Sequence, residues 1–223
     1  YAEKVSNLGA TNVKVLGTMK WDNANIGDSV PEAEKLASDI GIDLLKPLIV
    51  AGSTTPEEHV LLKNALPVDV QLLVAPRRPE WFDDAEEVFS PCNRRTKSVR
   101  SDTNYFVLDT IGELTAAYSL ATLVVIGRSF SPRHGSDPTE PIGLGKPTII
   151  GPNVSDFTDI VDAFLEGKGI MQCTATNLAT TIEQLLADQE LREKLVENGR
   201  KIIASNQGAT GRYVQLIKEA MKA

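Results

Sequence analysis

The sequence predicts an α/β fold built on a doubly wound parallel sheet, and three observations carry that expectation. Short β-branched and aliphatic runs alternate with helical patterns as far as Cys173. The runs are apolar throughout rather than alternating, as in strands covered by helices on both faces. They are bounded by Gly, Pro or Asp, and beyond Cys173 only helical patterns follow.

Taken in order, the opening "YAEKVSNLGA" is amphipathic and lacks an initiator methionine, so it reads as the continuation of a longer chain. "VKVLG" (13–17) is expected as the first strand, and "TMKWDNANIGDSVPEA" (18–33) as a polar linker into the first helix. Strands are then expected at "PLIVAG", "VQLLVAP", "YFVLD", "LVVIG", "PTIIG" and "GIMQC", with helices at "PEEHVLLKNAL", "IGELTAAYSLA" and "DFTDIVDAFLE". The last third is helical, broken at Gly208. Its final segment carries Tyr213, Leu216, Ile217 and Ala220 at helical spacing, a stripe expected to lie partly off the core.

Composition narrows the function. The chain has 223 residues, 42% hydrophobic and 24% charged, enough for one large core. A net charge of −7 disfavours nucleic acid or anionic lipid as a general partner, so an anion site has to be built locally. Cys92 and Cys173 make neither a disulfide framework nor a metal knuckle, which points to a reducing, cytoplasmic setting and no metal or cofactor.

In an open parallel sheet, ligands bind beyond the carboxyl ends of the strands. Gly52 and Ser53 follow "PLIVAG" and let backbone approach a ligand, while Thr55 caps the next helix. Arg77 and Arg78 follow "VQLLVAP", placed to fork onto phosphate or carboxylate or else to be solvated surface charge. After "YFVLD", Asp109 or Thr110 caps a helix with Glu113 in its first turn. The loop "RSFSPRHGSDP" carries Arg128, Arg133 and His134. Its Ser129, Gly135 and the helix start near Thr139 would offer an anion a hydroxyl and backbone N–H groups. Glu140, between Pro138 and Pro141, has two compatible roles: it complements a helix dipole, and its carboxylate can accept both vicinal hydroxyls of a ribose.

The series "GTMKWD", "AGST", "APRRPEWF", "LDTIGEL", "YSLATLVVIGRSFSPRHGSDPTEPIGLGKPTIIGP" and "NQGATGRY" resembles the carboxy-terminal half of bacterial 3-deoxy-D-manno-octulosonic acid (Kdo) transferases, in order along nearly the whole chain. The resemblance implies a Rossmann-like half of a glycosyltransferase B-type enzyme. Residues 1–25 would lead in and 26–223 would bind a CMP-sugar donor without a metal. An amino-terminal half outside this chain would bind the lipid A precursor and supply the catalytic base, at the cytoplasmic face of the inner membrane. Donor contacts are implied for Ser53, Arg77, Arg78, Gly127, Ser129, Gly135, Ser136, Asp137, Glu140 and Lys146. Where the family has glycine this chain has Arg128. Arg78 and Ser136 stand at two of its histidines, and Asp137 stands at an asparagine. Three readings compete: the donor half of a transferase, a degenerate nucleotide-sugar binding module, and a structural or partner-binding domain.

Overall fold

In the computed structural model, which describes residues 2–222, seven parallel strands form one sheet with helices on both faces. The elements, in chain order, begin with α1 (Ala2–Asn7), α2 (Ala33–Ile40), β1 (Leu48–Thr54), α3 (Pro56–Ala65) and β2 (Gln71–Pro76). They continue with α4 (Phe82–Phe89), β3 (Asn93–Arg94), β4 (Tyr105–Val107), α5 (Leu114–Leu120) and β5 (Leu123–Ile126). Next come α6 (Thr139–Gly143), β6 (Thr148–Ile150), α7 (Thr158–Glu166) and β7 (Met171–Gln172). Three helices finish the chain, α8 (Leu178–Ala187), α9 (Gln189–Asn206) and α10 (Ala209–Ala220).

The strand order is β3-β4-β2-β1-β5-β6-β7. β1 is central, its Ile49–Gly52 paired in register with β5 and its Leu48–Gly52 with β2. Successive side chains on a strand point to opposite faces, and both faces are covered here. Val50, Leu73 and Val124 pack with α2, α5 and α7, while Ile49, Leu72 and Val125 pack with α3, α4 and α8. Two-sided burial is why these strands read as unbroken apolar runs.

The "VKVLG" segment corrects the first strand expectation. It is irregular, with Val15 79% exposed, and pairs with no strand among the described residues. The seventh strand is β3 instead, two residues of polar sequence that the sheet acquires because Arg94 is drawn in. Its guanidinium donates to Asp109 and, at 2.8 Å, to Glu86. Asp109 also accepts the Thr96 N–H at 3.0 Å, so it ties β3 to β4 and caps no helix. The expected linker is packed rather than free. Trp21 is buried, its ring meeting Phe164 edge-on at 5.1 Å, and Asp22 accepts the N–H groups of Gly208 and Thr210, both at 2.6 Å, at the start of α10. α10 leans on this segment through Arg212, which donates to the Leu16 carbonyl at 2.9 Å. Tyr213, Ile217 and Ala220 are exposed and Leu216 is half-buried, so the stripe does lie off the core.

One buried group makes stability depend on pH. His59 is fully buried against Phe89, with Nε2 3.0 Å from the Thr54 hydroxyl and Nδ1 unpartnered among the described residues. Burial pushes its imidazole down from 6.5 to about 4. The folded ring stays neutral where the unfolded one gains a proton. Its contribution is therefore complete above pH 6.5 and declines towards pH 4, by at most about 3 kcal/mol. Urea midpoints across that window are expected to fall more steeply for the parent than for His59→Gln. Equal slopes would remove His59 as the cause.

Candidate ligand-binding site at the switch point of the sheet

β1 feeds α3 and β2 on one side, whereas the chain later crosses to β5 on the other, so their carboxyl ends open a crevice. The crevice floor is main chain. A Cβ on Gly127 would stand 2.5 Å from the Ser53 carbonyl oxygen, and one on Gly52 would stand 1.9 Å from the Tyr118 hydroxyl. The Gly127 N–H donates to the Gly52 carbonyl at 2.8 Å. Ser53 and Arg128, on the two walls, hold φ of +58° and +59°. Non-glycine residues resist this left-handed region, and such outliers gather at functional sites.

A carboxylate that sequence reasoning missed locks these walls together. Glu58, 2% exposed, accepts the N–H groups of Thr55 at 3.0 Å, Arg128 at 2.8 Å and Phe130 at 3.0 Å. Burial raises its pKa against the pull of those donors. The signal was in the sequence, since Thr55-x-x-Glu58 at a helix start is capping-box spacing. The same carboxylate that reaches back to Thr55 also pins the loop after β5.

Two cavities open on the crevice. The smaller, about 140 Å³, is bounded by Ser53, Arg77, the turn before α5 with Thr110 and Gly112, and Leu114 at the start of α5. The larger, about 700 Å³, is bounded by Arg77, Arg78, Trp81, Arg128, Arg133 and His134, with Glu57 as its one acidic wall residue. Arg77 walls both. Its N–H is fixed by the Thr54 carbonyl at 3.0 Å, while its exposed side chain meets no hydrogen-bonding or ionic partner among the described residues. Arg78 is exposed too, pairs with Glu80 at 3.4 Å and lies 5.3 Å over the Trp81 ring. Arg133 donates to Glu57 at 2.7 Å, and that hydrogen bond holds the Glu57 carboxyl at about 2. Glu140 is half-buried and accepts the Thr115 hydroxyl through Oε1, which sets the start of α6 beside the start of α5.

Other sequence expectations are corrected. Ser129 is fully buried; its hydroxyl donates to the Ile126 carbonyl at 2.5 Å and accepts the Gly151 N–H at 2.7 Å, so it is engaged in joining β5 to β6. The Gly135 N–H is taken by the Arg128 carbonyl at 2.9 Å. Glycine is needed there at φ +79° because a Cβ would stand 2.9 Å from the Asn153 carbonyl oxygen. Pro138 stands at the N-cap of α6, and the side chain that serves the first helical N–H is that of Asp137. Its Oδ1 accepts the Thr139 N–H at 2.9 Å and hydroxyl at 2.7 Å, which removes that N–H as an anion donor. Ser136 keeps a buried hydroxyl with no partner among the described residues. Lys146 lies at the opposite edge of the sheet, because α6 carries the chain back to the amino end of β6. There it borders a groove with Arg200 of α9, and burial lowers its pKa.

Among the described residues no cluster of three His, Cys, Asp or Glu side chains could hold a metal, and no helix is long and apolar enough to cross a membrane. No protein-family model matches the sequence. The chain is 29% identical to the 3-deoxy-D-manno-octulosonic acid transferase of Haemophilus influenzae over 97% of its own length and 54% of that protein. It thus spans about half the length of the curated relatives it matches. The solved C-terminal CMP-Kdo binding domain of WaaA from Acinetobacter baumannii superposes with a TM-score of 0.70 at 26% identity, covering 77% of this chain and 96% of that one. Anabaena Alr3699/HepE, solved with UDP-glucose, shares the fold at a TM-score of 0.63 and 13% identity, over 89% of this chain and 54% of that one. The chain therefore resembles the carboxy-terminal domain of 3-deoxy-D-manno-octulosonic acid transferases in sequence and in fold, and shares that fold with about half the length of other solved glycosyltransferases.

Proposed function

We propose that this chain is the donor-binding half of a glycosyltransferase that transfers Kdo, or a related sugar, from a CMP-activated donor to a lipid A precursor in lipopolysaccharide synthesis. Residues 26–223 would form the donor domain. Residues 1–25 would lead from an amino-terminal half that binds the acceptor at the cytoplasmic face of the inner membrane. The observation that carries the reading is Arg77, a guanidinium unpaired among the described residues, at the wall shared by both crevice cavities, one walled by the turn before α5 and the other wide enough for a sugar. The nucleoside then lies towards α5 and Glu140, the phosphate at Arg77, and the sugar in the larger cavity.

In that arrangement CMP departs as the acceptor oxygen attacks the anomeric carbon. Arg77 offsets the charge that grows on the phosphate, an interaction stronger in the transition state than in the ground state. The proton of the acceptor hydroxyl goes to a base on the other half. Ser129 and the Thr139 N–H take no part, since both are spent on the fold.

Glu140 supplies the test. Oε1 already takes the Thr115 hydroxyl and Oε2 has no partner among the described residues, so the carboxylate retains acceptor capacity for a ribose diol. By calorimetry, Glu140→Gln is expected to weaken CMP about tenfold, on the order of 1.4 kcal/mol, and 2′-deoxy-CMP far less. A parent that ignores CMP, or a variant that keeps the parent's ribose preference, would overturn the reading.

A further inference from the structure

The larger cavity holds more positive charge than one phosphate calls for. Beyond Arg77, it presents Arg128 and Arg133, with Arg78 beside them over the Trp81 ring. We propose that Arg128 and Arg133 form a second anion subsite, receiving a negative group that the ligand carries in addition to the phosphate at Arg77. The chemistry is that of a carboxylate on the transferred sugar or of a second phosphate. The proposal rests on the donor-binding reading.

Arg128 is the key observation. It holds φ +59°, a conformation glycine adopts freely and a long side chain resists. Backbone geometry alone would favour glycine, which makes the guanidinium the candidate for what offsets the strain. Its visible partners account for little of it. One Nη2 bond reaches the Arg133 carbonyl at 2.7 Å, and Asp156 stands 4.0 Å away on an exposed carboxylate. The remaining N–H groups have no hydrogen-bond partner among the described residues, and the side chain is 25% exposed. The Arg128 bond fixes the backbone of Arg133, whose own guanidinium lies 6.0 Å over Trp81 and is held by Glu57 at 2.7 Å. Two guanidinium groups lining one open cavity suit bidentate recognition of a planar or tetrahedral anion. The cavity, about 700 Å³, is within the size range of small-ligand sites.

The rival account makes Arg128 a loop staple and nothing more. Arg128→Gly separates them, because it removes the guanidinium and also relieves the backbone. Calorimetry would compare CMP, CDP, CMP-N-acetylneuraminate (a CMP-activated sugar acid) and the methyl ester of the last, which keeps the sugar and loses the charge. The expected result is that CDP or the sugar acid, but not the ester, binds the parent about tenfold more tightly than CMP. Arg128→Gly should erase that preference, with CMP still bound and melting temperature not lowered. Preference for CDP identifies a second phosphate, and preference for the sugar acid over its ester identifies a carboxylate. No preference in the parent, or a preference that survives Arg128→Gly, overturns the subsite while CMP binding still stands. A parent that binds none of the four overturns the donor reading with it.

Discussion

Glu58→Gln is expected to lower the stability of this domain by about 2–4 kcal/mol, the scale of leaving buried donors unmet around a lost charge. For a chain of this size that is a fall in melting temperature of roughly 5–15 °C. Three main-chain N–H groups from two loops converge on the two oxygens of one carboxylate that is 2% exposed. Glutamine keeps the shape, but one end of its side chain becomes an NH2 group facing N–H donors. Whichever way the amide turns, at least one of Thr55, Arg128 and Phe130 loses its acceptor. The Arg128 and Phe130 bonds also hold the loop after β5, so nucleotide affinity should fall with stability in this variant, whereas in a ligand-contact variant affinity falls alone. Thermal melts with and without CMP measure both, and a melting temperature within about 1 °C of the parent would show that Glu58 is not the clamp.

Glu58 also shows how much could be read without coordinates. Its helix-capping half was visible at fixed spacing, whereas its bonds to Arg128 and Phe130 span 70 and 72 residues and leave no local trace. The same distinction runs through the site. Glu140 was legible because the flanking prolines fix its place at the start of α6, and Arg77 because a charge directly after a buried strand has one edge to occupy. Ser129 was misread because its acceptor role is set by Gly151, 22 residues on, across the β5–β6 pairing. Lys146 was misread because nearness in sequence to Glu140 conceals a helix that returns the chain to the far edge of the sheet. In the fold, two-sided burial writes a strand as a run of aliphatic residues, which located six of the seven strands. β3 is held by Arg94 and its carboxylates rather than by apolar side chains, and "VKVLG" had the pattern of a strand with no neighbour to pair with.

The largest effect on binding is expected at Arg77. If the phosphate of CMP meets its guanidinium, Arg77→Ala should weaken CMP by about 1.5–3 kcal/mol, the range for a hydrogen bond to a charged group, or roughly 10- to 150-fold. Stability should barely change. The side chain is exposed and meets no hydrogen-bonding or ionic partner among the described residues, so its removal leaves no buried group unmet. The strand end is held by the Arg77 N–H to the Thr54 carbonyl at 3.0 Å, which alanine keeps. Arg77→Lys should recover only part of the loss, because an ammonium supplies the charge without the planar fork. Arg78→Ala is the internal control: its guanidinium is engaged by Glu80 at 3.4 Å and lies over Trp81, so it should cost less. The affinity lost should also shrink as salt is raised, since the site opens to solvent and its charges are screened. Equal CMP affinity in parent and Arg77→Ala, with the fold intact, would move the phosphate away from the wall shared by the two cavities and with it the whole placement of the donor.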